Sequence, residues 1–211
     1  MASFHWSHAV TTAGRSLMGA AQNVYVTEGT FGVLDSGEIP VQTADWSNEL
    51  AVPMSEGALI AVGIHLGEIR ATASSVSGPP PVMAGDFWEE IVEVSVHAPT
   101  GSLRVESLEH GPVDGLASLS PAGPGWYRLR VHARGRSILP DKTSSEPMED
   151  YLLVTWPAPQ ADADIVRASE RLEQDLAHAN RAPKPQPAPP ARSSEQEVLR
   201  QRLLRAKGRA E

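Results

Sequence analysis

The feature that most constrains the fold is the alternation from Trp126 to Arg134, which reads Trp-Tyr-Arg-Leu-Arg-Val-His-Ala-Arg. Successive side chains of an extended strand leave on opposite faces. Tyr127, Leu129, Val131 and Ala133 therefore share one face, and Arg128, Arg130, His132 and Arg134 share the other. One face can enter a core while four cationic or ionisable groups stand together outside it. The stripe lies in a chain of formal net charge −8, so its charges call for partners, within the chain or beyond it.

Between Asn23 and Trp156 the sequence alternates short β-type runs with Gly/Pro turns. Asn23–Thr27 and Thr30–Leu34, joined near Gly29, read as a first hairpin. Ala58–Leu66 is apolar on both faces and reads as one central strand covered on both sides. Glu68–Ala73 sets Ile69, Ala71 and Ala73 against Glu68, Arg70 and Thr72. The strongest hairpin signal is Trp88–His97, with Val92, Val94 and Val96 inward and Glu93, Ser95 and His97 outward, returning through Ala98-Pro-Thr-Gly101 into Ser102–Leu108. Asp150–Trp156 is the last strand, closed by Pro157-Ala-Pro159. The expected fold is mainly β, an antiparallel β-sandwich or open barrel spanning residues 1–160. A helix over 161–180 follows, with Ile165, Leu172, Leu176 and Ala179 on one stripe. Residues 181–193 form a Pro-rich linker. Ser194-Glu-Gln-Glu197 opens a short amphipathic helix, 194–211, which is marginal without something to dock on.

Charge is unevenly spread. Residues 1–100 carry eleven acids and two bases, 101–150 carry seven and six, and 151–211 carry eight and ten. The acidic first half argues against direct nucleic-acid binding and suits a basic protein partner. The chain has no cysteine, which excludes disulfides and thiol catalysis and fits a reducing compartment. The longest apolar run is too short to cross a bilayer as a helix, and no basic leader with an apolar stretch opens the chain. The expectation is a cytoplasmic protein with no membrane contact. Oligomeric state is left open.

No residue set forms a catalytic signature: there is no Gly-x-Ser-x-Gly, no phosphate loop and no His-Glu-x-x-His. His5-x-x-His8 lacks the further ligands a zinc site needs. No metal or other cofactor is expected, and the chain reads as a non-enzyme. Glu89 and Glu90 point to opposite strand faces, so they read as a charged strand entry. The stripe of Arg128, Arg130, His132 and Arg134 admits two readings. One is a docking face for an acidic or phosphorylated group. The other, favoured by the many neighbouring acids, is a lattice of cross-strand pairs with Glu68, Glu93 or Glu106. Trp88, Trp126 and Trp156 read as plugs at the ends of the sandwich core. Trp46, in a polar loop, suits either the core or an interface.

Val24-Tyr-Val26 with Trp46 after it, the long segment Ile91–Ser107 and Gly125-Trp-Tyr-Arg-Leu-Arg-Val131 together resemble the competence protein J family, small cytosolic β-sandwich inhibitors of a DNA-entry nuclease. Arg130–Arg136 followed by Glu149–Pro159 resembles a signature of uncharacterised actinobacterial proteins. The resemblance implies an inhibitor or immunity-type binding protein and assigns no inhibitory residue. From the sequence itself, the candidate partner-binding residues are Asp35, Glu38, Asp45, Trp46 and Glu49. The alternative function is a structural or adaptor subunit recruited through the terminal helix.

Overall fold

A computed structural model of the chain describes residues 19–82 and 87–181, with side chains to residue 178. His5, His8, Trp6, the Pro-rich linker and the terminal helix lie outside the described residues. The body is a two-sheet sandwich, open rather than closed into a barrel. Strands β1 (Gln22–Val26), β5 (Leu66–Ser75), β11 (Asp150–Pro157), β9 (Gly125–Arg134), β6 (Glu90–Ala98) and β12 (Asp164–Arg167) lie side by side in that order, and β10 (Thr143–Ser144) pairs with β5. The second sheet runs β3 (Ala51–Pro53), β4 (Ala58–Ala61), β2 (Thr30–Asp35), β7 (Leu103–Ser107), β8 (Gly111–Pro112).

The face assignments follow the period-two pattern. Val92, Val94, Val96, Tyr127, Leu129, Val131, Ile69, Ala71 and Leu153 from one sheet meet Phe31, Val33, Ile60, Leu103 and Val105 from the other in one continuous core. A smaller cluster of Leu34, Val52, Met54 and Leu59 covers the outside of the second sheet.

The strand partners differ from expectation. β1 and β2 are no hairpin: β1 pairs β5 while β2 pairs β4 and β7. The apolar run Ala58–Leu66 is two strands in two sheets, with Val62–His65 as the corner between them. The Ala98–Gly101 turn exists, Gly101 N–H donating to Ala98 O at 3.2 Å, yet it passes β6 and β7 into different sheets. Instead β6 pairs β9 and β12. Alternation defines which face of a strand is buried but not which strand lies beside it. The sheet is also mixed, because β10 and β11 both run parallel to β5.

That parallel pair dictates what covers the outer face of the larger sheet. β5 ends beside Thr155, whereas β6 begins beside Ala133, level with the start of β11. The connection leaving β5 must therefore travel back along the sheet. Likewise, the chain leaving β11 at Pro157 has to cross β9 to reach β12 at the far side of β6. These crossings bury Trp88, Ile91, Leu152 and Val154 with Val76 and Val166 as a third apolar layer. Trp88 and Trp156 are thus buried on the outside of the sheet rather than in the sandwich core.

The C-terminal helix α1 spans Glu170–Arg181. The expected start near residue 161 is too early, because Asp164–Arg167 extends the sheet as β12. Ser169 is the N-cap, its Oγ accepting from Leu172 N–H at 3.1 Å. Leu172 is fully buried and Leu176 packs against the same core.

The corner at Val62–His65 demands a residue without a side chain. A Cβ on Gly63 would lie 2.1 Å from the Arg136 carbonyl oxygen. Gly63→Ala should cost about 2 kcal/mol or more, in the range of overpacked sites. Gly78→Ala, where a Cβ meets nothing within 4 Å, should be nearly neutral. Urea denaturation of the two variants checks the contrast.

Candidate functional site

The arginine stripe is structural. Arg128, Arg130 and His132 retain 8, 4 and 2 % exposure respectively. Glu93, opposite them on β6, accepts from Arg130 Nε at 2.7 Å and from Arg128 Nε at 3.2 Å. Arg128 Nη1 donates to the main-chain oxygens of Ala161 and Asp162, and Arg130 Nη1 to that of Pro80. Arg130 also lies over the Trp156 ring, 5.3 Å from its centroid. Arg134, half-buried, is held by Asp150 and covers Phe87. Of the three expected acids only Glu93 serves: Glu68 accepts from Asn23, and Glu106 lies on the other sheet. The stripe as an open docking face is therefore corrected, because both crossing connections lie on it.

His132 donates from Nδ1 to Leu152 O at 3.1 Å and packs against Trp88. Burial lowers its pKa from 6.5 to about 4, partly opposed by the Leu152 bond and reinforced by Arg130. The folded state therefore holds a neutral ring. An unfolded chain takes up a proton below pH 6.5, so the stability tied to this ring is complete above that pH and is lost as pH falls to about 4.

Three further acids occupy inward-facing positions at strand ends. Asp35 is fully buried, and its two carboxylate oxygens accept from Thr100 N–H and Ser102 N–H, each at 2.6 Å. Glu149 accepts from Gly63 N–H, Ile64 N–H and Tyr151 O–H at 2.8, 2.7 and 2.6 Å. Burial and the Glu149 charge hold the Tyr151 phenol well above its ordinary pKa. Glu90 shares the parity of Val92 and is paired with Arg136 at 2.5 Å, while Ser169 O–H donates to its other oxygen. Glu89 instead accepts from Gly135 N–H at 2.9 Å. Arg136 reaches on to Glu49 O at 3.2 Å.

These placements divide the expected partner-binding acids. Asp35 is removed from that set, since a buried carboxylate committed to two amides has no surface to offer. Glu38, Asp45 and Trp46 are exposed, Trp46 at 44 %. Glu49 is half-buried; burial raises its pKa, with Asp175 adding to the effect and Arg136 opposing it. Core packing for Trp46 is excluded by its exposure.

The 36–50 segment between β2 and β3 is held by hydrogen bonds within itself and to residues 51–55. A short turn at Val41–Thr43 closes with Thr43 O–H donating to Pro40 O at 2.7 Å, and Ser55 N–H donates back to Thr43 Oγ1 at 2.8 Å. Asp45 N–H donates to Pro53 O, and Asp45 Oδ1 accepts from Ser47 N–H. Buried Asn48 bonds Leu50 N–H, Ala51 N–H and Ala51 O. A segment ordered this way need not bury its apolar side chains, and Ile39 and Val41 stand 40 and 55 % exposed near Trp46 in sequence. Sequence reasoning singled out Trp46 and the acids but missed Ile39 and Val41, which look like interior residues from their type alone. Beside this segment a cleft of about 380 Å³ is lined by residues including Asp45, Met54, Ser95, Trp126 and Asp162.

Among the described residues, no cluster of three or more His, Asp or Glu is placed to hold a metal, and no helix is long and apolar enough to cross a membrane. No protein-family model matches the chain, and no curated protein matches it significantly. Solved structures similar to it include ComJ from Bacillus subtilis, described as an inhibitor of the DNA degrading activity of NucA. It is 12 % identical with a TM-score of 0.44, over 67 % of this chain and 97 % of that one. Crocagin biosynthetic gene J is 16 % identical with a TM-score of 0.39, over 66 % and 99 %. The family resemblance read from the sequence is thus accompanied by a distant structural likeness, and no site residue is carried over from either.

Glu90→Ala, which strands Arg136 in the interior, should cost about 3–5 kcal/mol, and Glu90→Leu combined with Arg136→Met should recover most of it; equal losses in both variants by urea denaturation would contradict this. Between pH 6.5 and 4 the natural chain should lose on the order of 3 kcal/mol more stability than His132→Gln, read by denaturation at a series of pH values.

Proposed function

We propose that the chain is a non-enzymatic protein-binding module, an acidic β-sandwich that neutralises a basic protein partner, such as a nuclease, in the cytoplasm. The observation that carries this reading is the exposure of Ile39, Val41 and Trp46 within one hydrogen-bonded segment that also displays Glu38 and Asp45. Large exposed apolar groups rimmed by charge are the composition of a protein interface. Order already present in the free segment lowers the entropy cost of docking. The surplus of acid over residues 1–100 would speed encounter with a basic surface.

The test uses the full-length chain and a partner captured by it from native lysate, then purified. Trp46→Ala with Asp45→Ala should weaken that partner by about 2 kcal/mol or more, roughly 30-fold. Unchanged affinity, together with loss of binding on deleting residues 182–211, would overturn this reading in favour of an adaptor recruited through its C-terminal end.

A further inference from the structure

The cleft beside the docking segment opens where β3 of one sheet approaches β6 of the other. Thr43, Asp45 and Met54 contribute to it from the second sheet's side; Ser95 and Trp126 contribute from the larger sheet, and Asp162 from the connection between β11 and β12. Its volume, about 380 Å³, falls at the low end of the roughly 300–1,000 Å³ of ligand-sized clefts. Among the described residues, no lysine, arginine or histidine lines it. The Asp45 and Asp162 side chains are exposed, and neither forms an ion pair among the described residues. Arg128 lies close by, but its charge is paired with Glu93 and its Nη1 is held by Ala161 O and Asp162 O.

We propose that this cleft is a subsite for an arginine side chain of the protein partner. The inference rests on the protein-binding reading above and names the chemistry its interface would select. Two carboxylates without an ion-pair partner among the described residues, Asp45 keeping one oxygen beyond that bonded by Ser47 N–H, favour a cation. Trp126, half-buried and stacked on His97 with ring centroids 4.8 Å apart, adds an aromatic surface on which a flat guanidinium can stack. Pro53 and Met54 offer apolar contact for the methylene stem. A guanidinium suits this mixture better than an ammonium, because it stacks and donates to carboxylates in the same plane. The segment carrying Trp46 and the cleft share Asp45, so an apolar contact and a cation contact can be made by one partner surface.

The experiment titrates the full-length protein with N-acetyl-arginine methylamide, followed by amide and indole NMR signals, with N-acetyl-citrulline methylamide as the neutral isostere. The expected result is saturable shifts at Trp126, Asp45 and Asp162 with the arginine compound, none with citrulline, and at least tenfold weaker binding in Asp45→Asn with Asp162→Asn. Both positions are exposed, so the variant should keep the dispersed spectrum of the natural chain; Asp162→Asn alone provides a second, milder change in the same direction. Equal responses to arginine and citrulline, no saturable response, or undiminished binding in the Asn variants would overturn the proposal. Failure here, with partner binding still lost in Trp46→Ala, would remove the arginine subsite and leave the protein-binding reading standing. Arginine binding in the cleft with no effect of Trp46→Ala on the partner would support the subsite and remove the docking segment.

Discussion

The architecture depends on carboxylates placed where core side chains would be expected. A sandwich whose chain repeatedly changes sheet must turn corners, and amides at a corner have no ladder to pair with. Asp35 supplies two acceptors to the Thr100 and Ser102 amides where β6 passes into β7. Glu149 does the same for Gly63 and Ile64 where β4 passes into β5. Charge-assisted bonds to main-chain N–H groups are roughly twice as strong as neutral ones. Glu90 adds a third point, joining Arg136 to the cap of α1 through Ser169. The turn between β1 and β2 is tied to the second of these corners, since Gly29 exchanges main-chain bonds with Val62 and His65. An acid in this role is interior structure, which sets Asp35 apart from the exposed acids Glu38 and Asp45 that follow it in the chain.

The parallel pairing of β5 with β11 has the second large consequence. Together with the place of β12 beyond β6, it sends two connections across the outer face of the larger sheet, and those connections turn a stripe of arginines into a buried, paired layer. Glu93 answers two guanidinium groups at once, and main-chain oxygens of Pro80, Ala161 and Asp162 take much of the remaining donor capacity. The stripe therefore holds the crossings in place. Exposed Ile39, Val41 and Trp46 lie instead on the β2–β3 segment, beside the cleft.

Much of this was legible in the sequence at the level of faces and little at the level of neighbours. Val92, Val94 and Val96, or Leu129 and Val131, declare their buried side by alternation alone. Nothing local separates a hairpin from a corner that changes sheet: Ala98–Gly101 carries good turn residues for either, and only Asp35, more than sixty positions away, decides it. The run Ala58–Leu66 looked like one strand because all of it is apolar; Gly63 was the signal that it breaks. Asp164–Arg167 is too short for its period to distinguish strand from helix, and pairing with β6 settled the matter. Trp46 and its neighbouring acids were visible as a loop of unusual composition. The cleft was not, because its walls come from positions 43, 45, 53–55, 94–95, 126 and 160–163, which only the fold brings together.

The most direct test of the account is hydrogen exchange of the full-length protein, free and in complex with its purified partner, read peptide by peptide. The account predicts slowed exchange on binding across residues 36–55 and 158–163, with β9 and its arginine stripe unchanged because they are already covered. Protection confined to residues beyond 181, or appearing on β9 while 36–55 stays unaltered, would contradict it.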